Sequence, residues 1–124
     1  NIKIIKDAMY SSSNEPGGTS YRSRLEDKRF TFAGKTGSSQ IKRFTEEQRE
    51  AEVKQEQLKY ENRDHALFIA YAPVSDPKYA ISVVVEHGGT GSSAAAPIAK
   101  KVIKKVLERH SLRKSINNLP GDSV

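Results

Sequence analysis

Residues 33–39 read Ala-Gly-Lys-Thr-Gly-Ser-Ser, and a lysine, a hydroxyl and a glycine in a row can serve two chemistries. One is phosphate binding, since Gly34-Lys35-Thr36 has the form of the end of a nucleotide phosphate loop. That loop needs a glycine five residues earlier and a helix starting at the lysine, so that backbone N–H groups and the helix dipole meet the phosphate. The earlier position is Arg29, Gly37 interrupts any first helical turn, and the segment runs on into Gln40-Ile41 with strand character. The phosphate loop is therefore rejected. The other chemistry is recognition of an acyl group that carries an anion. On a strand at a sheet edge, residues two apart share a face, which sets Lys35 and Gly37 on one side and Thr36 and Ser38 on the other. Lys35 supplies a fixed positive charge and Thr36 a hydroxyl donor suited to a carboxylate. Gly37 lets a substrate approach the backbone, and the Ser38 N–H can point at an acyl oxyanion. This set has no nucleophile.

The remaining chemistry-bearing residues form weaker patterns. Gly89-Thr90-Gly91-Ser92-Ser93-Ala94 fits a dinucleotide fingerprint between a strand and a helix. That fingerprint needs a following parallel strand that ends in an acidic residue, and only a tail follows here. His65, His87 and His110 are far apart and have neither a cysteine partner nor a paired-histidine helix motif, so no metal and no cofactor is expected. Glu86-His87 falls at a strand end without support for a catalytic pair. The chain has 21 basic and 15 acidic residues, a net charge of +6, which permits binding to nucleic acid or anionic lipid. The excess lies largely on one helix face and is not interleaved with aromatics, which favours a solvated surface and no nucleic-acid partner.

The elements that must hold these residues follow from periodicity. Ile2, Ile5 and Met9, with Ile4 and Ala8, make one apolar face of a short helix, which Asn14-Glu15-Pro16-Gly17-Gly18 ends. Phe30 and Phe32 lead into the lysine-bearing strand. Residues 45–64 hold eleven charged positions in twenty and no apolar stripe, and read as an exposed, partly helical insertion. Within it Thr45 and Gln48 suit a capping box and Glu50 and Lys54 a favourable pair, whereas Glu46/Glu50 and Glu52/Glu56 repel. Leu67, Ile69 and Tyr71 alternate with Phe68, Ala70 and Ala72, so this strand is expected to be buried on both faces. The turn Ser75-Asp76-Pro77-Lys78 joins it to the strand at residues 80–85, which makes the two antiparallel neighbours. The strongest helix has Ala95, Ile98, Ala99, Val102, Ile103, Val106 and Leu107 on one stripe and Lys100, Lys101, Lys104 and Lys105 opposite. Ser92 or Ser93 is the expected cap, and Pro97 fits the first turn. After His110 the periodicity vanishes, leaving residues 111–124 as a flexible tail. No apolar run approaches the ~20 residues needed to span a bilayer. The fold class is α+β: a three-stranded antiparallel sheet flanked by an N-terminal helix and a long C-terminal helix.

Beyond the Lys35-Thr36-Gly37 triplet, the stretches NEPGGTSYRSR, FAGKTGSSQ and RDHALFIAYAPVSDPKYAISVVVEHGGTGSSAAAPIAK resemble the C-terminal part of the penicillin-binding protein 2 family. These are class B peptidoglycan D,D-transpeptidases, and the resemblance covers roughly residues 1–110. It implies a partial penicillin-binding-protein/β-lactamase-like fold. It also implies an enzyme on the periplasmic side of the bacterial inner membrane, which cross-links stem peptides during cell elongation. Its active-site serine would be acylated by a D-Ala-D-Ala stem peptide or by β-lactams, with elongation-complex proteins as partners. The triplet carries over as Lys35, Thr36 and Gly37, and Ser38 stands where the family usually has threonine.

The family also requires an S-x-x-K carrying the nucleophile and an S-x-N, both normally well upstream. Ser39/Lys42, Ser75/Lys78 and Ser111/Lys114 have the first spacing, but serine and lysine three apart meet only on a helix. They are assigned to a strand end, a hairpin turn and the tail. Ser12-Ser13-Asn14 and Ser115-Ile116-Asn117 mimic the second motif out of context. The expectation is thus a C-terminal fragment, residues 1–124, inactive alone. In the family an N-terminal strand lies beside the strand at 80–85. Its absence would leave that strand open to self-association. The alternatives are a fragment of a β-lactam sensor or β-lactamase, or a small basic nucleic-acid- or membrane-binding module.

Overall fold

The computed structural model describes residues 1–47 and 51–118. Strands β1 (Ala33–Ser39), β2 (His65–Ala72) and β3 (Tyr79–Val85) form one antiparallel sheet in the order β1-β2-β3. Helix α1 (Ile2–Asn14) precedes the sheet, and a π-helical turn (Gly91–Ala95) runs into helix α2 (Ala96–Asn117) after it. This is the α+β arrangement expected from the sequence, and the hairpin pairing of β2 with β3 is also as expected. No helix among the described residues is long and apolar enough to cross a membrane.

The core lies between the sheet and α2. Ala66, Phe68, Ala70 and Ala72 of β2 meet Ala95, Ala96, Ala99, Ile103 and Leu107, and Phe32 packs edge-on against Phe68 with ring centroids 6.0 Å apart. The small alanines on both sides let the helix lie close to the strand. The expectation that β2 is buried on both faces is corrected. Ile69 is 51% exposed, and Leu67 and Tyr71 are only half-buried. Among the described residues α2 covers a single face, while the opposite face meets little beyond Met9 and Lys6 of α1. Burial pushes the Tyr71 phenol above its ordinary pKa, and the Asp7 carboxylate adds to the effect.

Three helix assignments also change. The isoleucines of α1 bury nothing, with Ile2 at 76% exposure, and the one buried residue of that helix is Ser13. The helix is held by its last turn against β1 rather than by an apolar stripe. The start of the π-helical turn is capped by Thr90, whose hydroxyl accepts from the Ser93 N–H, and not by Ser92 or Ser93. Thr90 precedes the first helical turn and has extended backbone, the geometry a cap requires. Helix α2 continues past His110 to Asn117, because no glycine or proline interrupts residues 111–117 and lysine, arginine and leucine favour helix even with nothing to pack on. Those residues are exposed. Phe30 lies in a short 3-10 turn (Lys28–Phe30) before the strand proper, and Phe30 and Phe32 are both buried.

Within 45–64, short 3-10 turns at Gln55–Gln57 and Tyr60–Asn62 bury no residue. Gln55 ties the stretch down, accepting from the Asp64 N–H at 2.9 Å and donating to the Asp64 carboxylate at 3.1 Å. Gln48 and Glu50, on which the expected capping box, the Glu50/Lys54 pair and the Glu46/Glu50 repulsion depend, lie outside the described residues.

Candidate functional site

Lys35, Thr36, Gly37 and Ser38 all lie on β1, an outer strand of the sheet, so the phosphate-loop geometry is absent. The direction of the backbone groups follows from two contacts. The Gly34 N–H donates to Ser13 Oγ at 2.9 Å, and Ser13 Oγ donates to the Gly34 carbonyl at 3.2 Å. Gly34 thus faces away from β2. Antiparallel strands alternate, so Thr36 and Ser38 also turn their N–H and C=O groups outward, while Lys35 and Gly37 bond to Ile69 and Leu67. The outward Thr36 carbonyl is met by Lys35 Nζ at 3.0 Å.

The side chains converge at the same place. Lys35 curls around the strand, so that Nζ also lies 3.3 Å from Thr36 Oγ1, although the two side chains leave opposite faces. Thr36 Oγ1 donates to Thr19 Oγ1 at 2.9 Å, and Thr19 Oγ1 is 3.1 Å from Ser12 Oγ. An ammonium and three hydroxyls therefore form one line of hydrogen bonds along an exposed edge. Such a line offers several donors to an anion and can hand a proton along its length. Thr19 has no counterpart among the spacing motifs, since a loop hydroxyl carries no periodic signal, and Ser12, noted above only within an S-x-N look-alike, lies in the last turn of α1. Arg29 takes no part in the line; it pairs with Asp27 at 2.7 Å.

The glycines divide by cause. A Cβ on Gly34 would run into the Phe68 ring, and one on Gly91 would run into the Leu67 and Gly37 carbonyl oxygens, so both are dictated by packing inside the chain. A Cβ on Gly37 would meet only Leu67 Cβ, at an ordinary 3.5 Å. Nothing within the described residues requires glycine there, and the space stays open to an incoming molecule.

Other candidates fall elsewhere. The Gly89–Ala94 fingerprint follows an antiparallel strand, and among the described residues no parallel strand follows it. His65 and His87 come together, ring centroids 4.9 Å apart, with the His87 N–H donating to His65 Nδ1 at 2.9 Å. His110 is apart, at 2.9 Å from the Tyr79 hydroxyl. Among the described residues no group of three or more His, Cys, Asp or Glu is assembled that could hold a metal. Ser39 and Ser75 lie at a strand end and in the hairpin turn. Ser111 and Lys114 stand on a helix after all, which corrects their assignment to the tail, but on the exposed end of α2, whose contacts are with β2, β3 and the turns at Tyr21–Ser23 and Lys28–Phe30. Of the two S-x-N look-alikes, Ser115-Ile116-Asn117 is in the same exposed turns, whereas Ser12-Ser13-Asn14 is brought directly against β1.

Residues 1–104 match the penicillin binding protein transpeptidase domain. The peptidoglycan D,D-transpeptidase MrdA of Haemophilus influenzae is 36% identical over 118 residues, which is 95% of this chain and 18% of that protein. MrdA of Escherichia coli is 28% identical over 122 residues, again 18% of its length. Among solved structures, penicillin-binding protein PBP2 of Helicobacter pylori in complex with MreC superposes with a TM-score of 0.69 at 31% identity, covering 86% of this chain and 17% of that one. PBP2 of Pseudomonas aeruginosa in complex with WCK 5153 gives a TM-score of 0.58 at 28% identity, over 82% of this chain and 18% of that one. The chain thus spans less than a fifth of the relatives it matches. On the family match, the identity and the shared fold together, this chain belongs to the penicillin-binding protein transpeptidase family.

Proposed function

We propose that this chain is the substrate-recognition edge of a peptidoglycan D,D-transpeptidase that cross-links stem peptides during cell elongation and is acylated by β-lactams. The observation that carries the reading is the convergence on the free edge of β1 of the Lys35 ammonium, the Thr36 hydroxyl and the outward N–H groups of Thr36 and Ser38. A stem peptide ending in D-Ala-D-Ala lies along this edge as an added strand. Its terminal carboxylate meets Lys35 and Thr36, and its reacting carbonyl oxygen meets the Ser38 N–H. A serine oxygen from outside this chain attacks that carbonyl, the peptide C–N bond breaks, and the terminal D-alanine leaves as the amine with a proton. The Ser38 N–H stabilises the charge on the carbonyl oxygen during the attack. Lys35 raises the positive potential where the carboxylate and the leaving amine lie.

None of the S-x-x-K pairs in the described residues stands on a helix beside this edge, so the chain alone is inactive. The whole protein acts at the periplasmic face of the inner membrane, and the MreC complex of the Helicobacter pylori neighbour supports an elongation-complex partner of that kind. Intact mass after incubation with a labelled penicillin tests the assignment. The isolated chain gives no adduct and the full-length protein gives one per molecule. A stoichiometric adduct on the isolated chain, or none on the full-length protein, overturns it.

A further inference from the structure

Helix α1 ends against β1, and its last turn carries Ser12, Ser13 and Asn14, the S-x-N look-alike that the family's motifs leave unused. Ser13 is wholly buried, and its hydroxyl both accepts the Gly34 N–H and donates to the Gly34 carbonyl. One side chain thereby does for Gly34 what a neighbouring strand would do. Asn14 Nδ2 donates to the Phe32 carbonyl at 2.9 Å, the next acceptor on the same side. Ser20, also buried, holds the arrangement: its hydroxyl is 3.0 Å from Ser13 Oγ and donates to the Ser12 carbonyl at 3.1 Å.

The outward edge of β1 is therefore closed from the Phe32 carbonyl to the Gly34 carbonyl. From Thr36 onward it reverses, and the N–H groups of Thr36 and Ser38 have no partner among the described residues. The boundary between the closed and open halves coincides with Lys35 and the Thr36 hydroxyl. A strand that pairs with the open half must stop there, because continuing would set its backbone groups against Gly34 and Phe32 groups already taken. Each buried backbone group left unpaired in this way keeps its desolvation penalty uncompensated, which disfavours the continuing chain.

We infer that residues 12–14 form an end-stop that confines this edge to chain termini, with Ser13 and Asn14 as positioning residues. The inference rests on the reading of β1 as a peptide-binding edge and adds the source of its selectivity. A terminal carboxylate is accepted because Lys35 stands at the stop. A chain that continues is refused because the edge beyond is filled, whatever its charge.

The test uses the full-length protein and two peptide thioesters, one whose thiol leaving group ends in a carboxylate and one with that group extended by a glycine. Both carry the same charge, and only the second needs room past Thr36. The wild type is acylated about 100-fold faster by the shorter one, a discrimination of the size a blocked subsite gives. Ser13→Ala and Asn14→Ala each lower that ratio at least about fivefold, mainly through faster reaction of the extended substrate, and Ser13→Thr restores it. Gly34 amide exchange rises about tenfold or more in Ser13→Ala, while the Ser38 amide is fast in both proteins. A wild type that takes both thioesters alike overturns the end-stop, as does an unchanged ratio in Asn14→Ala, which keeps the test alive should Ser13→Ala not fold. A wild type that forms no penicillin adduct fails the transpeptidase reading instead. In that case equal exchange at Gly34 and Ser38 refutes the end-stop by itself, and a protected Gly34 upholds it.

Discussion

Strands β1 and β3 are the two outer strands of one sheet, seven residues each, and among the described residues neither has a strand on its far side. In β1 the outward backbone groups belong to Gly34, Thr36 and Ser38, and in β3 the same alternation turns out those of Ala80, Ser82 and Val84. What accompanies them differs. The β1 edge has a serine and an asparagine filling one half and an ammonium with three hydroxyls lining the other. The β3 edge has no charge along residues 80–85, and Val84 is 57% exposed. The two strands offer the same backbone chemistry, so the difference is one of guarding. A peptide-binding edge must be open over a short stretch and closed elsewhere, whereas an edge that is open and uncharged throughout pairs with any strand, including its own copy.

Phe68 supports both edges at once, and removing it has the largest effect. It is fully buried between Phe32 and α2, and its ring occupies the space that a side chain at position 34 would take. Phe68→Ala loses stability by about 3–5 kcal/mol, the usual cost of a large cavity, and should be read by denaturant unfolding. A loss under about 1 kcal/mol would mean that the sheet is held by something other than the α2 interface.

Lys35→Ala strikes only the guarded edge. In the full-length protein it lowers the second-order rate constant of penicillin acylation at least about 100-fold, about 3 kcal/mol of transition-state stabilisation, with the melting temperature retained. Lys35→Arg keeps the charge on a bulkier planar group and retains part of the rate. Acylation at the wild-type rate in the alanine variant would reduce Lys35 to an ordinary strand-edge charge of the kind that discourages pairing.

Thr36→Val comes next. It removes one hydroxyl that donates to Thr19 and accepts from Lys35. The loss of one charge-assisted hydrogen bond to the ligand carboxylate costs about 1–3 kcal/mol, roughly 5- to 150-fold in the same rate constant. A substrate whose carboxylate has been converted to an amide should show a smaller difference between the wild type and Thr36→Val, because the charge assistance is gone. An equal penalty on both substrates would give Thr36 a purely structural part.

The comparison of the edges also marks how far the sequence could be read. Strand alternation gave the sheet, the hairpin and the lysine-bearing edge, because period-two patterns record which side of a strand is covered. Apolar and buried part company at Ile69, on a strand expected to be covered on both faces, and the isoleucines of α1 are exposed as well among the described residues. Composition tells which faces could be covered and not which element covers them. No local pattern links the look-alike at residues 12–14 to β1, twenty-one positions on in the case of Ser13 and Gly34. Thr19 is missed for the same reason. Hydroxyls that act by meeting another segment leave no periodicity of their own.

The smallest expected effect belongs to the unguarded edge. In the isolated chain, β3 is expected to pair with the β3 of a second copy through the outward groups of Ala80, Ser82 and Val84. Ser82 is exposed and central in that row, so Ser82→Lys brings two ammonium groups close together across an antiparallel junction. Like charges directly opposite on adjacent strands cost about 0.2–1 kcal/mol, so the dissociation constant rises by only a few-fold at low salt. Sedimentation equilibrium reads the change, and raising the salt sharpens it. Near 1 M the screening length falls to about 3 Å, and the variant should then associate almost as well as the wild type. A mutation that simply disrupted β3 would show no such recovery, since salt screens charge and does not restore a strand. If the wild type is strictly monomeric at high concentration, β3 is guarded after all, and the contrast between the two edges reduces to which of them can bind an anion.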